Sequence, residues 1–289
     1  MRHAVLGAGA VGALMAGALA RAGAEVVMLM RSDSLSRYNG EVSVRSQVLG
    51  DFTVGVPAAA MLDREVDVLW VTPKATQLAD ALALADRVGD ARVIPLMNGV
   101  DHMAVLRARY PLVTAGTLRV ASERDEGWRI TQSSTFFRVD LCGAELVATE
   151  LRAAGIECHV TDDEVTMLWQ KLAFLAPLAL ATTVAAAPLG AVRQDPTYLR
   201  MQREVEAVAA AQGAHLDLAA LAALRSAAPD TMRSSMQRDV ELERAPEIDA
   251  IAGPILRGGA QHGIDTSATQ ELAERIRTLP VTAKSPATA

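Results

Sequence analysis

The chain has 289 residues, 51% of them hydrophobic and 21% charged, with a formal net charge of −6. That is long enough for two domains, since single cores stop growing near ~250–300 residues. It lacks a Lys/Arg block that would hold a nucleic-acid backbone, and two cysteines, Cys142 and Cys158, are too few for a disulfide framework.

The chain opens His3-Ala-Val-Leu-Gly-Ala-Gly-Ala-Val-Gly12, an apolar run entering Gly7-x-Gly9-x-x-Gly12, with an Ala-rich helical pattern to Gly23 and a second strand from Glu25 to Met30. A parallel strand turning tightly into a helix needs one position without a Cβ. It needs a second where a pyrophosphate can lie against the amides, and a third where helix meets strand. The positive end of the helix dipole then faces the phosphates. This predicts a dinucleotide site whose amides run from Gly7 through Ala8, Gly9, Ala10 and Val11 to Gly12. A glycine-rich turn of some other α/β domain is the simpler alternative.

The second strand ends Met28-Leu-Met-Arg31-Ser32. A site for NAD carries an acid here for the ribose hydroxyl, and a site for NADP carries a cation for the 2′-phosphate. Arg31 can grip a phosphate with a bidentate fork and Ser32 can add a hydroxyl, although Asp33 stands just beyond. The residues favour NADPH, against an Arg31 that is only a solvated surface charge.

Residues 40–57 read as an antiparallel detour: Glu41-Val-Ser-Val-Arg-Ser alternates, Leu49-Gly50-Asp51 turns and Phe52-Thr-Val-Gly-Val returns. Val66 to Thr72 is then a buried strand carrying Pro73-Lys74 at its end, with a helix over about 75–87. The strand Arg92 to Met97 ends in Asn98-Gly99-Val100, with a helix to about Arg109. In open parallel sheets ligands bind beyond the carboxyl ends of the strands, which puts Lys74 and Asn98 on the rim of the glycines. Taken singly, such residues are a solvated lysine and a turn.

Strands are expected over Leu112–Val120, Trp128–Thr131, Phe136–Leu141 and Ile156–Val160, with a helix over Gly143–Ala154. After Thr161-Asp162-Asp163 strand patterns stop. Helices are predicted over about 164–187 (perturbed at Pro177), 196–212, 217–227, 231–243, 247–262 and on to about 278, with a frayed tail from 280. The division is 1–162 for an α/β cofactor domain, 163–279 for a helical substrate domain and 280–289 for the tail, with a substrate cleft between the domains. Leu172 to Val192 carries no charge and has the length of a membrane span, but its Ala content, Pro177, Pro188, Thr182 and Thr183 indicate a buried helix. The five histidines are scattered, so no metal site is expected.

Hydride transfer to a carbonyl makes an alkoxide, which needs a proton donor. Lys171, in Trp169-Gln-Lys-Leu, is the last charge before the apolar run. A partly dry lysine gives up its proton more easily; the competing reading is one that reaches out to solvent. Later, Ser234-Ser235-Met236 begins the exposed face of one helix. Glu247 opens another, in a first turn where a carboxylate suits the dipole. Helix capping there competes with partnership to Lys171.

Together, Gly7-x-Gly9-x-x-Gly12, Arg31-Ser32, Val71-Thr-Pro-Lys74, Asn98-Gly-Val, Trp169-Gln-Lys171-Leu-Ala, Ser235-Met236 and Glu247-Ile-Asp resemble the ketopantoate reductases, in order and spacing, from residue 3 to about 278. The resemblance implies an α/β fold: an N-terminal Rossmann-type doubly wound sheet with a C-terminal all-α domain. It also implies NADPH-dependent reduction of a 2-oxo acid, a step of pantothenate biosynthesis, in the cytoplasm. It assigns proton donation to Lys171, and contact with cofactor and substrate to Asn98 and Lys74. It gives Ser235 the substrate carboxylate and Glu247 the cofactor. No nucleic acid or membrane partner is implied, and the protein is expected as a monomer or homodimer.

The chain departs from the family where two asparagines usually hold the substrate hydroxyl, four and eight residues after the lysine. Here those positions are Leu175 and Ala179, and Thr182 or Thr183 is the nearest candidate substitute. A site without polar groups does not discriminate for a hydroxyl. A dehydrogenase acting on a less polar oxo or hydroxy acid, and a non-catalytic NADPH-binding protein, therefore stand as alternatives.

Overall fold

The computed structural model describes residues 1–86 and 88–279; the frayed tail expected from 280 falls outside them. The chain forms two compact units, residues 1–97 with 102–164, and residues 98–101 with the chain from Val165 on.

The first unit begins β1 (Arg2–Leu6), α1 (Ala10–Arg21), β2 (Glu25–Leu29) and α2 (Ser32–Leu35). The detour follows as β3 (Glu41–Ser46) and β4 (Phe52–Gly55), antiparallel as expected. Then come β5 (Ala58–Ala59), β6 (Val68–Val71), α3 (Leu78–Leu82), β7 (Arg92–Pro95) and α4 (His102–Arg107). The unit closes with β8 (Gly116–Arg119), β9 (Ser122–Arg124), β10 (Arg129–Gln132), β11 (Arg138–Cys142), α5 (Glu145–Ala153) and β12 (Glu157–Thr161).

The central sheet is parallel, in the order β5-β2-β1-β6-β7. The strands β6 and β7 are buried along nearly their whole length, hence their largely apolar character. The order reverses between β1 and β6, which makes the carboxyl ends of those strands the switch point. The detour is joined by β10 and β9 into a second sheet, β4-β3-β10-β9. Here Gly17 of α1 lets the sheet approach: a Cβ would sit 3.3 Å from the Val42 side chain.

Two differences from expectation have plain causes. The helix expected over 75–87 is a 3-10 turn (Ala75–Gln77), α3 and a second 3-10 turn (Ala83–Ala85), with Arg87 outside the described residues. Its carbonyls are taken by tertiary partners: Leu82 O by Arg109, Leu84 O by the Leu62 amide and Ala85 O by the Tyr110 hydroxyl. The two-residue β5 is too short to show a period in sequence.

The second unit is helical: α6 (Glu164–Ala185), α7 (Leu189–Val192), α8 (Pro196–Ala211), α9 (Leu218–Ala227), α10 (Ser235–Glu241), α11 (Ile248–Ile251), α12 (Gly253–His262) and α13 (Ser267–Arg277). Asp195 and Asp217 cap α8 and α9 by accepting amide protons of Thr197 and Ala220. The stretch expected as one helix over 247–262 is broken at Ala252, just ahead of Gly253-Pro254, since Pro254 has no N–H to continue the ladder. The stretch over 231–243 starts only at Ser235, because Ser234 takes the cap position and its Oγ accepts from the Gln237 amide at 3.0 Å.

Leu172, Ala176 and Leu180 form one stripe of α6 and pack with Met201, Val205 and Val208 of α8 and Ile255 of α12. Each of the leucine, isoleucine, valine and methionine side chains contributes about 1.5–3 kcal/mol when fully withdrawn from water. Among the described residues α6 is the helix long and apolar enough to cross a membrane, and 67% of its apolar window is buried inside the protein. It is a core helix.

Candidate active site

In the first unit the strand ends of β2, β1 and β6 lie side by side, with Leu6 opposite both Leu29 and Val71. The Gly7 amide donates to Leu29 O at 3.2 Å, and Thr72 Oγ1 donates across Leu6 O and Gly7 O at 2.9 and 2.8 Å. The turn is thus held from both neighbours. Gly7 has φ +98°, and a Cβ there would lie 2.9 Å from the Pro73 nitrogen. At Gly12 a Cβ would lie 2.0 Å from Gly7 O, so only glycine brings helix and strand this close.

Gly9 differs. A Cβ there would meet nothing within 4 Å. It is the cap residue of α1, with no side-chain cap and no acid in the first turn of that helix. Open space at the positive end of a 12-residue helix is what an anionic pyrophosphate requires. Arg31 and Ser32, both exposed, leave the adjoining strand end, where Arg31 O accepts from the amides of Ser34 and Leu35. Lys74, half-buried and extended at φ −64° and ψ 151°, leaves β6 on the other side. Gly7 to Gly12, Arg31, Ser32 and Lys74 therefore share one rim, and the donor set fits a phosphorylated dinucleotide.

The second unit carries the remaining residues. Asn98, which follows β7 by way of Leu96 and Met97, donates from Nδ2 to Glu247 Oε2 at 3.2 Å. Gly99 beside it has φ +83°, and a Cβ there would lie 2.2 Å from Ala250 O, so the segment is pressed against α11. Glu247 is buried and occupies the cap position of α11 without a side-chain capping bond. This corrects the expectation that it lies in the first helical turn as a cap: its carboxylate faces an asparagine that is 149 residues earlier in the chain.

Lys171 stands half-buried on α6 between Gln170 and the buried Leu172. Ser235 is exposed at the start of α10. It is tied to α6 through its neighbour, since Ser234 Oγ lies 3.0 Å from Thr182 Oγ1. Thr182 also donates to Leu178 O at 2.7 Å, and Thr183 Oγ1 donates to Ala179 O at 2.6 Å. Both threonines are buried and both hydroxyls are engaged inside the helix bundle, so neither replaces an asparagine facing substrate. Leu175 is half-buried and Ala179 fully buried. After Lys171, the face of α6 offers no polar side chain until Thr182.

The Thr72 clamp, the Asn98–Glu247 pair and the Thr182–Ser234 link were not foreseen. Thr72 was open to detection, as a hydroxyl at the end of the strand next to β1. The others join residues 149 and 52 positions apart, with no local pattern to mark them. Among the described residues, no three His, Cys, Asp or Glu side chains gather as a metal set.

Two family models match the chain, one described as Ketopantoate reductase PanE/ApbA over residues 3–140 and one as Ketopantoate reductase PanE/ApbA C terminal over residues 164–279. A curated 2-dehydropantoate 2-reductase of Mycobacterium tuberculosis is 30% identical, with 91% of this chain and 92% of the relative covered. The crystal structure of a PanE/ApbA family ketopantoate reductase from Ralstonia eutropha JMP134 is similar with a TM-score of 0.86 at 26% identity, covering 96% of this chain and 98% of that one. The ternary structure of D-mandelate dehydrogenase with NADH and anilino(oxo)acetate gives 0.85 at 21% identity over 96% and 97%. At that identity the likeness concerns the fold.

Proposed function

This chain belongs to the ketopantoate reductase family, and from that premise we propose that it reduces a 2-oxo acid with NADPH, either ketopantoate or a close analogue. The protein is an oxidoreductase. The observation that supports the cofactor most strongly is the open position at Gly9 between two glycines that tolerate no side chain. The amides from Gly7 to Gly12, with Ala8, Ala10 and Val11, take the pyrophosphate; Arg31 and Ser32 take the 2′-phosphate. When bound, NADPH supplies the hydride to the carbonyl carbon.

The chain's own groups do the rest. Lys171 gives a proton from its ammonium to the carbonyl oxygen, so the product is the 2-hydroxy acid and the lysine is recharged from water. Ser235 donates its hydroxyl to the substrate carboxylate, and Lys74 and Asn98 contact cofactor and substrate. Asn98 and Glu247 act as one unit, because the carboxylate fixes which way the amide points and leaves the Asn98 oxygen free to accept. Glu247 reaches the cofactor from the same pair.

A second reading is favoured by Leu175 and Ala179. With no polar group on that face, an oxo acid lacking a distal hydroxyl loses nothing here, so a less polar oxo or hydroxy acid competes with ketopantoate as the preferred substrate. The free cysteines Cys142 and Cys158 suit a reducing, cytoplasmic setting, and the working form is a monomer or a homodimer. The test is a panel of 2-oxo acids with NADPH and NADH, followed by loss of reduced-nicotinamide absorbance. Turnover of ketopantoate or a less polar analogue with NADPH is expected. Tight NADPH binding without turnover of any oxo acid would overturn the reading in favour of a non-catalytic cofactor-binding protein.

A further inference from the structure

Pro177 lies inside α6 without ending it. A proline there has no N–H for the carbonyl four residues back, and its ring crowds that oxygen. The carbonyl is that of Ala173, a fully buried residue beyond the reach of water. It is not left bare. Arg225 of α9 donates from Nη2 to Ala173 O at 2.9 Å.

The other arm of the same guanidinium pairs with Glu206 of α8. The two side chains are 12% and 23% exposed. Arg193 in turn fixes the end of α9, donating to Arg225 O and Ala228 O at 2.5 Å each. Three helices therefore meet at one guanidinium, and the meeting point is two residues from Lys171.

We propose that Arg225 is a positioning residue for Lys171: it clamps α6 at the proline break and so fixes the direction in which the first half of the helix presents the amine. Proline is where a helix is most readily kinked, because one rung of its ladder is missing. A donor from a neighbouring helix fixes the carbonyl at that rung and so holds the local direction of the helix. Glu206 meets the charge of Arg225, so the effect is one of geometry and not of added field. A proton donor displaced by ~1 Å loses up to ~10²-fold in rate.

The proposal rests on Lys171 as proton donor, and the experiment keeps the two apart. Wild type, Arg225→Met, Pro177→Ala and the double variant are compared for kcat, both KM values and the solvent isotope effect, well below every melting temperature. Arg225→Met is expected to lose roughly 10- to 100-fold in kcat, with KM for NADPH unchanged and a larger solvent isotope effect. Pro177→Ala alone is expected to stay near wild type. The double variant is expected to recover most of the loss, because an alanine amide at 177 closes the bond to Ala173 O. A role in stability alone would move the melting temperature without this kinetic split.

Wild-type kcat in Arg225→Met, or a loss that Pro177→Ala leaves in place, overturns the proposal. If Arg225→Met does not fold, Arg225→Lys carries the same test, since it keeps a charge beside Glu206 but cannot span both partners. Should Lys171→Met turn over at full rate, the underlying reading falls. Should it be inactive while the Arg225 variants run at wild-type speed, only the clamp falls.

Discussion

The rim proposed for the cofactor in the first unit is made of backbone: three glycines, a helix end and the carbonyls that Thr72 holds. The second unit is held by side chains that reach across separate segments, as in Asn98 with Glu247, Thr182 with Ser234 and Arg225 with Ala173 O. The first kind of site tolerates no added atom in its frame but needs no particular side chain at its open position. The second kind depends on partners, and loss of one changes the geometry of the other.

That contrast can be broken at several points. Among changes in cofactor affinity the largest is expected from Arg31→Asp, which replaces the proposed phosphate fork with a repelling charge. NADPH binding should weaken roughly 10- to 100-fold, as the loss of charge-assisted hydrogen bonds implies, while NADH binding barely changes. Titration calorimetry with each cofactor reads this, and equal losses would remove Arg31 from phosphate recognition.

Gly12 and Gly9 should respond in opposite ways to an added methyl group. Gly12→Ala drives a Cβ into Gly7 O and the Thr72 hydroxyl, so the melting curve should record about 1–3 kcal/mol of lost stability. Gly9→Ala meets no protein atom and should melt like wild type while binding NADPH more weakly. Similar stability losses in both variants would contradict an open pyrophosphate position.

For the second unit, a double-mutant cycle with Asn98→Ala and Glu247→Gln should show a coupling of about 1 kcal/mol in NADPH affinity. Strict additivity would mean that the two residues do not act together.

The smallest effect concerns pH. The buried His3 accepts from Trp70 Nε1 on Nδ1 at 3.1 Å, so its proton sits on Nε2 and is given to Glu150 at 2.6 Å. Burial holds the ring below its ordinary value of 6.5. The unfolded chain then binds more protons in acid than the folded one. This contribution to stability is present above pH 6.5 and is lost as pH falls through the folded value. Melting temperatures of wild type should drop more steeply below that pH than those of His3→Gln; parallel curves would remove the histidine from the pH dependence.

The same contrast explains what could be read before folding. The strand–turn–helix at Gly7 to Gly12, the parallel strands and the run of helices are local patterns of period, cap and glycine spacing, and they stand as expected. The breaks at Ser234 and at Gly253-Pro254 were also written locally, in capping and proline chemistry. The bond from Asn98 to Glu247 could not be read beforehand, because nothing in the neighbourhood of Glu247 points to Asn98. Arg225 gives no sign in the sequence: its bond to Ala173 O exists only because α9 lies against the carbonyl that Pro177 leaves open. Ala58-Ala59, a fifth strand of two residues, is set by the neighbouring strand and not by its own sequence.

The most direct test of the whole account is single-turnover reduction of an oxo acid by wild type and by Lys171→Met, each loaded with NADPH. Hydride transfer in Lys171→Met is expected to be slower by ~10²–10⁴-fold, the usual cost of losing a general acid, with NADPH bound as tightly as in wild type. Transfer at the wild-type rate would contradict it.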